Sequence, residues 1–375
     1  MSNRKPPFRA DHVGSLLRPP ELLAMRDKWN AGEISAEELR EHENEAIKGA
    51  VKLQESVGLH AITDGEYRRA SFHIDFINKL NGVEFKRMQP EGSEGKASKE
   101  DLDKAPFVAV VDDRLTLPEG GIEVENFKFV NGLTNETVKI TIPSPTMTHF
   151  RGGREAISRE AYPDMDGFFA DLARVYREEL ALLYDAGCRY VQIDDTNLAY
   201  LCDEHMREGV RKIGEDPDAL PKTYAALIND AIGDRPDDMA VCIHMCRGNA
   251  QSQWFASGGY EPIAEKIFNL TDVDGFFLEY DDERSGDFKP LRFVPKGKTI
   301  VLGLVTTKRG ELEKPEDLKR RVEEAATFMP MDQIALSPQC GFSSNAVGNL
   351  VTVDDEIAKL RLVVETAAEL WPNGS

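Results

Sequence analysis

Short runs of apolar residues alternate with longer segments of helical periodicity along almost the whole chain. The pattern predicts a first strand over 8–13, ending at Gly14-Ser15. A helix follows, with Ser35-Ala36-Glu37-Glu38 as its capped start and apolar positions spaced on to Val57. A second strand, 60–63, ends at Asp64-Gly65-Glu66. Beyond it the rhythm breaks. Residues 82–136 carry β-rich pieces at 107–111 and 122–130 around a polar stretch, 89–104. They predict an inserted hairpin excursion with a mobile tip.

The alternation then returns. Strands are expected at 138–143, 190–194, 239–244, 275–279, 299–305 and 333–337, and helices at 165–186, 203–213, 221–232 and 354–370. Eight strands, most separated by helix-sized segments, predict an α/β fold of the (β/α)8 TIM-barrel class, with a β-hairpin insertion between the second and third strands. The first turn, Val13-Gly14-Ser15-Leu16-Leu17, lacks the glycine-rich phosphate fingerprint of an open dinucleotide-binding sheet. We expect one barrel domain over 1–375.

Composition narrows the function classes. The 375 residues are 41% hydrophobic, enough for a large core, and carry a formal net charge of −20. Such a balance opposes contact with nucleic acid and gives no support to docking on an anionic membrane. The opening residues have no secretory pattern, and no apolar run approaches a bilayer span. Five cysteines, an odd count gathered in the C-terminal half, fit a reducing compartment better than a disulfide framework. The expectation is a cytoplasmic protein; oligomeric state is not legible.

Candidate chemistry gathers at strand ends. His244 and Cys246 lie two apart in Val241-Cys242-Ile243-His244-Met245-Cys246, so in an extended segment both point to one side. Glu279 ends the sixth predicted strand, and Cys340 follows the eighth in Ser337-Pro338-Gln339-Cys340-Gly341. Barrel active sites lie at the C-terminal ends of strands. One imidazole, two thiols and a carboxylate at that face are ligand types that hold a tetrahedral zinc ion. Each alone is more simply a core residue, and Cys188, Cys202 and Cys242 are read as core thiols.

The set His244-Met245-Cys246, Glu279 and Ser337-Pro338-Gln339-Cys340-Gly341 resembles the zinc site of cobalamin-independent methionine synthase. Val13-Gly14-Ser15, Asp64-Gly65-Glu66 and Gln192-Ile193-Asp194 resemble that family's substrate-site motifs. The motifs fall in the family's order and cover nearly the whole chain, but match only its C-terminal catalytic barrel, as in short single-barrel bacterial relatives.

The resemblance implies one Zn²⁺ held by His244, Cys246, Glu279 and Cys340, with homocysteine bound through sulfur as a thiolate. It implies that Glu66 and Asp194 grip the substrate ammonium and that Ser15 with its loop cradles the carboxylate. A methyl donor then yields methionine. Strand-end acids also serve as helix caps, the plainer reading of Glu66 and Asp194.

Two departures concern the donor. In Gly303-Leu304-Val305-Thr306-Thr307-Lys308, Lys308 occupies the place of the family's proton-donating histidine, and His12 is the other candidate acid. A lysine near its usual pKa of ~10.4 donates poorly at neutral pH, so a solvated loop charge is the simpler role. No tryptophan lies between Trp29 and Trp254, so the family's pterin-side tryptophan is missing; His149 and Phe150 are its nearest stand-ins, and His73 is a further candidate pocket residue. The donor stays open among a methyl-folate, a methylated corrinoid protein and a small methylated sulfur compound. Two other readings also stay open: a thiol alkyltransferase of the epoxyalkane:coenzyme M transferase type, and a zinc-stabilised barrel without catalysis.

Overall fold

The computed structural model describes residues 5–87, 107–249 and 251–372. Its centre is a curled parallel sheet of seven strands: β1 (Ala61–Ile62), β4 (Thr137–Pro143), β5 (Tyr190–Asp195), β6 (Ala240–Met245), β7 (Gly275–Glu279), β8 (Thr299–Val305) and β9 (Ile334–Pro338), paired in that order. β2 (Asn81–Arg87) and β3 (Phe107–Thr116) pair antiparallel outside it. The central strands are buried on both faces, as expected where helices cover a parallel sheet.

The segment predicted as a first strand does not form a ladder strand. Residues 8–13 add to β9 only at the bridge Ala10–Leu336, with Asp11 N donating to Leu336 O at 3.0 Å and Leu336 N to Arg9 O at 2.9 Å. The reason is local. The Asp11 carboxylate accepts the N–H groups of Phe8 at 3.2 Å and His12 at 2.8 Å, two backbone donors drawn to a side chain. Across the seam toward β1, the contacts are His12 Nε2 to Ala61 O at 3.0 Å, Thr63 Oγ1 to Gly14 O at 2.7 Å and Leu16 N to Gly65 O at 3.1 Å.

Helix Ala36–Val57 starts at the predicted capping box, with Ser35 Oγ accepting from Glu38 N and Glu38 accepting from Ser35 N. Helices Met165–Asp185, Glu204–Lys212, Leu220–Ile232 and Val353–Leu370 fall where helical periodicity placed them. Helices Pro20–Asn30, Glu261–Leu270 and Pro315–Ala325 were not anticipated; each carries proline in its first turn, which suits a helix start.

The excursion differs from expectation at its second piece. Residues 122–130 were expected to be β-rich, but Val124–Asn131 is a helix whose Val124, Phe127 and Val130 are buried three apart. A run that short supports either period, and packing decides between them. Residues 89–104, expected to be a mobile tip, lie outside the described residues. Among the described residues no helix is long and apolar enough to cross a membrane.

Candidate active site

The strand register brings the predicted residues to one end of the sheet. Asp194 on β5 is the lateral neighbour of His244 on β6, and Met245 neighbours Leu278, one residue before Glu279. Cys246 follows the end of β6, its N–H bonded to Asp195 O at 3.2 Å. Cys340 lies just past β9. Its loop is turned inward because Gln339 N donates to Val305 O at 2.8 Å, where the β8–β9 register shifts.

Among the described residues, His244, Cys246 and Cys340 form a buried trio whose ligand atoms lie within 4.8 Å of one another. The two Sγ atoms are 3.2 Å apart. A hydrogen bond from Cys246 draws the Cys340 thiol well below its ordinary pKa against the cost of burial, and His244 adds to the effect. Both nitrogens of buried His244 lack a hydrogen-bond partner. A buried polar atom left unpaired is costly, and a metal ion is the partner that this donor set fits.

Glu279 stands outside the trio. Its Oε1 accepts from Arg284 Nη2 at 2.6 Å and Lys308 Nζ at 3.2 Å, and its Oε2 accepts from Arg247 N at 2.8 Å. Burial would raise its pKa, but Lys308, Arg247 and Arg284 outweigh burial and hold it down at about 2. Lys308 is no solvated loop charge: its side chain is 11% exposed and also pairs with Asp281 Oδ2 at 3.0 Å. Burial would lower its pKa, yet Glu279 and Asp281 raise it, so it stays a cation.

Ser15, Glu66, Asp194 and the trio all line one cavity of about 190 Å³. That is room for about six waters at the density of the liquid, enough for a small metabolite. Glu66 sits in the left-handed region with φ 59°, a conformation that costs a non-glycine residue on the order of 1–3 kcal/mol. It is held there by Glu66 N bonding to Asp64 Oδ1 at 2.8 Å and by Arg18 Nη2 bonding to Glu66 O at 2.8 Å. Glu66 Oε1 accepts from Thr141 Oγ1 at 3.0 Å, whereas its buried Oε2 has no partner. Burial raises the pKa of Asp194 to about 7, helped by the charge of Glu66, and burial raises Glu66 as well. Two buried carboxylates that resist ionising together make a receptor for a cation.

Ser15 is fixed by a close approach. A Cβ on Gly341 would lie 1.8 Å from Ser15 Oγ, so the loop after β9 meets the first loop only because residue 341 is glycine. His12 lies apart from the cavity. Its Nε2 is bonded to Ala61 O, and burial together with Lys139 pushes its pKa down to about 4, which leaves it neutral.

Several lining residues were not anticipated. Arg151, rather than His149 or Phe150, reaches the cavity from the loop after β4, with Tyr200, Asn249 and Asn345. His149 is instead bonded to Tyr224 Oη at 3.0 Å. His73 does line the cavity, kept neutral by burial and by Arg151, with a pKa of about 3. Arg18 and Arg69, both buried, brace Glu66 from behind. No spacing rule singles out an arginine that bonds carbonyls from distant loops.

Comparison with known proteins agrees with this geometry. The family model of the cobalamin-independent synthase catalytic domain matches residues 8–369. The chain belongs to that family. It is a cobalamin-independent methionine synthase-type catalytic domain, a methyltransferase class. It is 47% identical over 372 residues to YxjH of Bacillus subtilis, covering 98% of this chain and 96% of the relative. It is 26% identical over 354 residues to a methionine synthase of Pyrococcus abyssi, covering 94% and 88%. A crystal structure of a candidate vitamin-B12 independent methionine synthase from Listeria monocytogenes superposes with a TM-score of 0.78 at 38% identity, covering 98% and 99%.

Proposed function

We propose that this chain, acting as a single barrel domain, transfers a methyl group to the thiol of homocysteine and forms methionine. One observation carries the reading: the His244, Cys246 and Cys340 trio and the Glu66 and Asp194 carboxylates line the same small cavity. A thiol-binding group and an ammonium-binding group at that spacing suit a short amino acid with a terminal thiol. We take the seven-stranded sheet, with 8–13 as its eighth stave and β2–β3 as an inserted hairpin, as the family's barrel.

His244, Cys246 and Cys340 would hold Zn²⁺, with Glu279, whose carboxylate is paired with Arg284 and Lys308, as the exchangeable fourth ligand. Zinc bound there would lower the pKa of a substrate thiol so that it is a thiolate at neutral pH. The protein's own groups do the rest. Glu66 and Asp194 receive the ammonium, and a substrate cation between them lets both ionise. Ser15 and the neighbouring backbone receive the carboxylate. The oriented sulfur attacks the donor methyl, forming the S–CH₃ bond while the donor leaves with the electron pair.

Arg151 at the cavity is the observation that favours the alkyltransferase reading, because a sulfonate thiol needs a cation. The paired acids deeper in the same cavity oppose that substrate. The deciding experiment incubates zinc-loaded protein with homocysteine and, in turn, a methyl-folate, a methylated corrinoid protein and a small methylated sulfonium, then measures methionine. Methionine from one donor is the expected result. None from all three sinks the proposal.

A further inference from the structure

The interior of the sheet holds a charged pair that the chemistry above does not use. Lys139 on β4 and Asp11 in the 8–13 segment are both fully buried, with Nζ 2.8 Å from Oδ1. Taking two charges out of water is costly, and well-packed apolar residues of similar volume often serve stability as well. The pair therefore points to a role beyond packing.

Lys139 Nζ has three protons and finds three acceptors: Asp11 Oδ1, the His12 carbonyl and Gln192 Oε1 at 3.1 Å. The last contact decides which way an amide faces. With Oε1 turned to a cation, Gln192 presents its NH₂ in the other direction. There Nε2 donates to Val13 O at 2.6 Å and to Asp194 Oδ1 at 2.7 Å. A flipped amide would set NH₂ against an ammonium, and oxygen against a carbonyl and a carboxylate. Asp11 is itself anchored, because its Oδ2 accepts from Tyr190 Oη at 2.9 Å. The rings of Tyr190 and Phe277 lie 5.3 Å and 4.8 Å from Nζ and keep the cation dry. An unbroken run, Asp11–Lys139–Gln192–Asp194, thus leads from the core to a carboxylate in the cavity wall.

Resting on the reading of Glu66 and Asp194 as the ammonium site, we propose that Lys139 and Gln192 are positioning residues. They hold the Asp194 carboxylate in the orientation that receives the substrate ammonium, and neither lines the cavity.

The test measures binding of homocysteine and of γ-mercaptobutyrate, which keeps the thiol and carboxylate but lacks the amino group. Calorimetry is run on the zinc-loaded parent, Gln192→Met and Lys139→Met, with zinc content checked for each. Lost orientation of a charged hydrogen-bond partner predicts a homocysteine Kd raised about tenfold in both variants, with γ-mercaptobutyrate within about twofold of the parent. In turnover the same loss appears in KM, with kcat little changed. Gln192→Met keeps the buried ion pair, so it carries the test alone if Lys139→Met does not fold. Equal weakening of both thiols, or unchanged homocysteine affinity in Gln192→Met, overturns the proposal. A parent that binds both thiols equally rejects the ammonium site itself and this inference with it. A parent preference for homocysteine that survives in Gln192→Met rejects the positioning role alone.

Discussion

His244, Cys246 and Cys340 bring two thiols, bonded to each other, against an imidazole whose nitrogens make no hydrogen bond, the donor set that the proposed zinc would satisfy. Replacing His244 or Cys340 with alanine is expected to reduce bound zinc from one per chain to near none, as read by elemental analysis of purified protein. Full retention of zinc in either variant removes that residue from the ligand set. Glu66→Ala is a separate matter, because Glu66 touches no ligand of the trio. It should keep zinc and weaken homocysteine binding by about tenfold or more, the cost of losing one of two charged partners; unchanged affinity in a calorimetric titration would count against the ammonium role. These residues were legible in the sequence because an imidazole and two thiols fall together at predicted strand ends, the face where barrel sites lie. The pairing of Glu279 with Arg284 and Lys308 was not. It depends on where the loop after β7 folds back, and no local pattern encodes that.

Among elements, the last helix carries a buried acid in its first turn. Thr352 and Asp355 form the capping box of Val353–Leu370, while Glu356 points inward and accepts from Leu17 N at 3.3 Å. Burial raises its pKa from 4.5 to about 8, only partly opposed by that N–H. Between those values the folded protein keeps a proton that the unfolded chain has lost, so stability falls as pH rises through the window. Glu356→Gln should therefore match the parent near pH ~4, exceed it by roughly 2 kcal/mol near pH ~6 and by roughly 4–5 kcal/mol near pH ~9, as measured by urea unfolding. An identical pH response in both proteins would refute the assignment. Elements with strong periodicity, such as Ala36–Val57 and Met165–Asp185, were legible to within a residue or so. Residues 122–130 were misread because their apolar spacing satisfies both periods. Residues 8–13 were misread because the Asp11 side chain intercepts backbone donors that a strand would offer its neighbour.

At the scale of the molecule, loops far apart in the chain are fastened by one buried arginine. Arg18 donates to Ser343 O at 3.0 Å and Asn345 O at 3.1 Å through Nη1, and to Glu66 O at 2.8 Å and Arg69 O at 2.7 Å through Nη2. Arg18→Met leaves four carbonyls without this donor and is expected to cost about 3 kcal/mol of stability by chemical unfolding. It should also raise the homocysteine KM, because Glu66 loses its brace. A variant as stable as the parent would show that water replaces the guanidinium without loss. The barrel rhythm foretold that first and last loops would be neighbours; it did not foretell which side chain joins them.

The meeting of Ser15 with Gly341 bears on how the protein is made. A ribosome releases Ser15 early and Cys340 near the end, so the cavity has no complete wall until the final strand docks. A nascent chain that already exposes His244 and Cys246 has made Ser15, Glu66 and Asp194 as well, but it lacks Cys340 and the Gly341 loop against which Ser15 packs. On the proposed reading, metal capture and substrate recognition would mature together when β9 docks, and a chain truncated before β9 should fold its middle strands yet acquire neither.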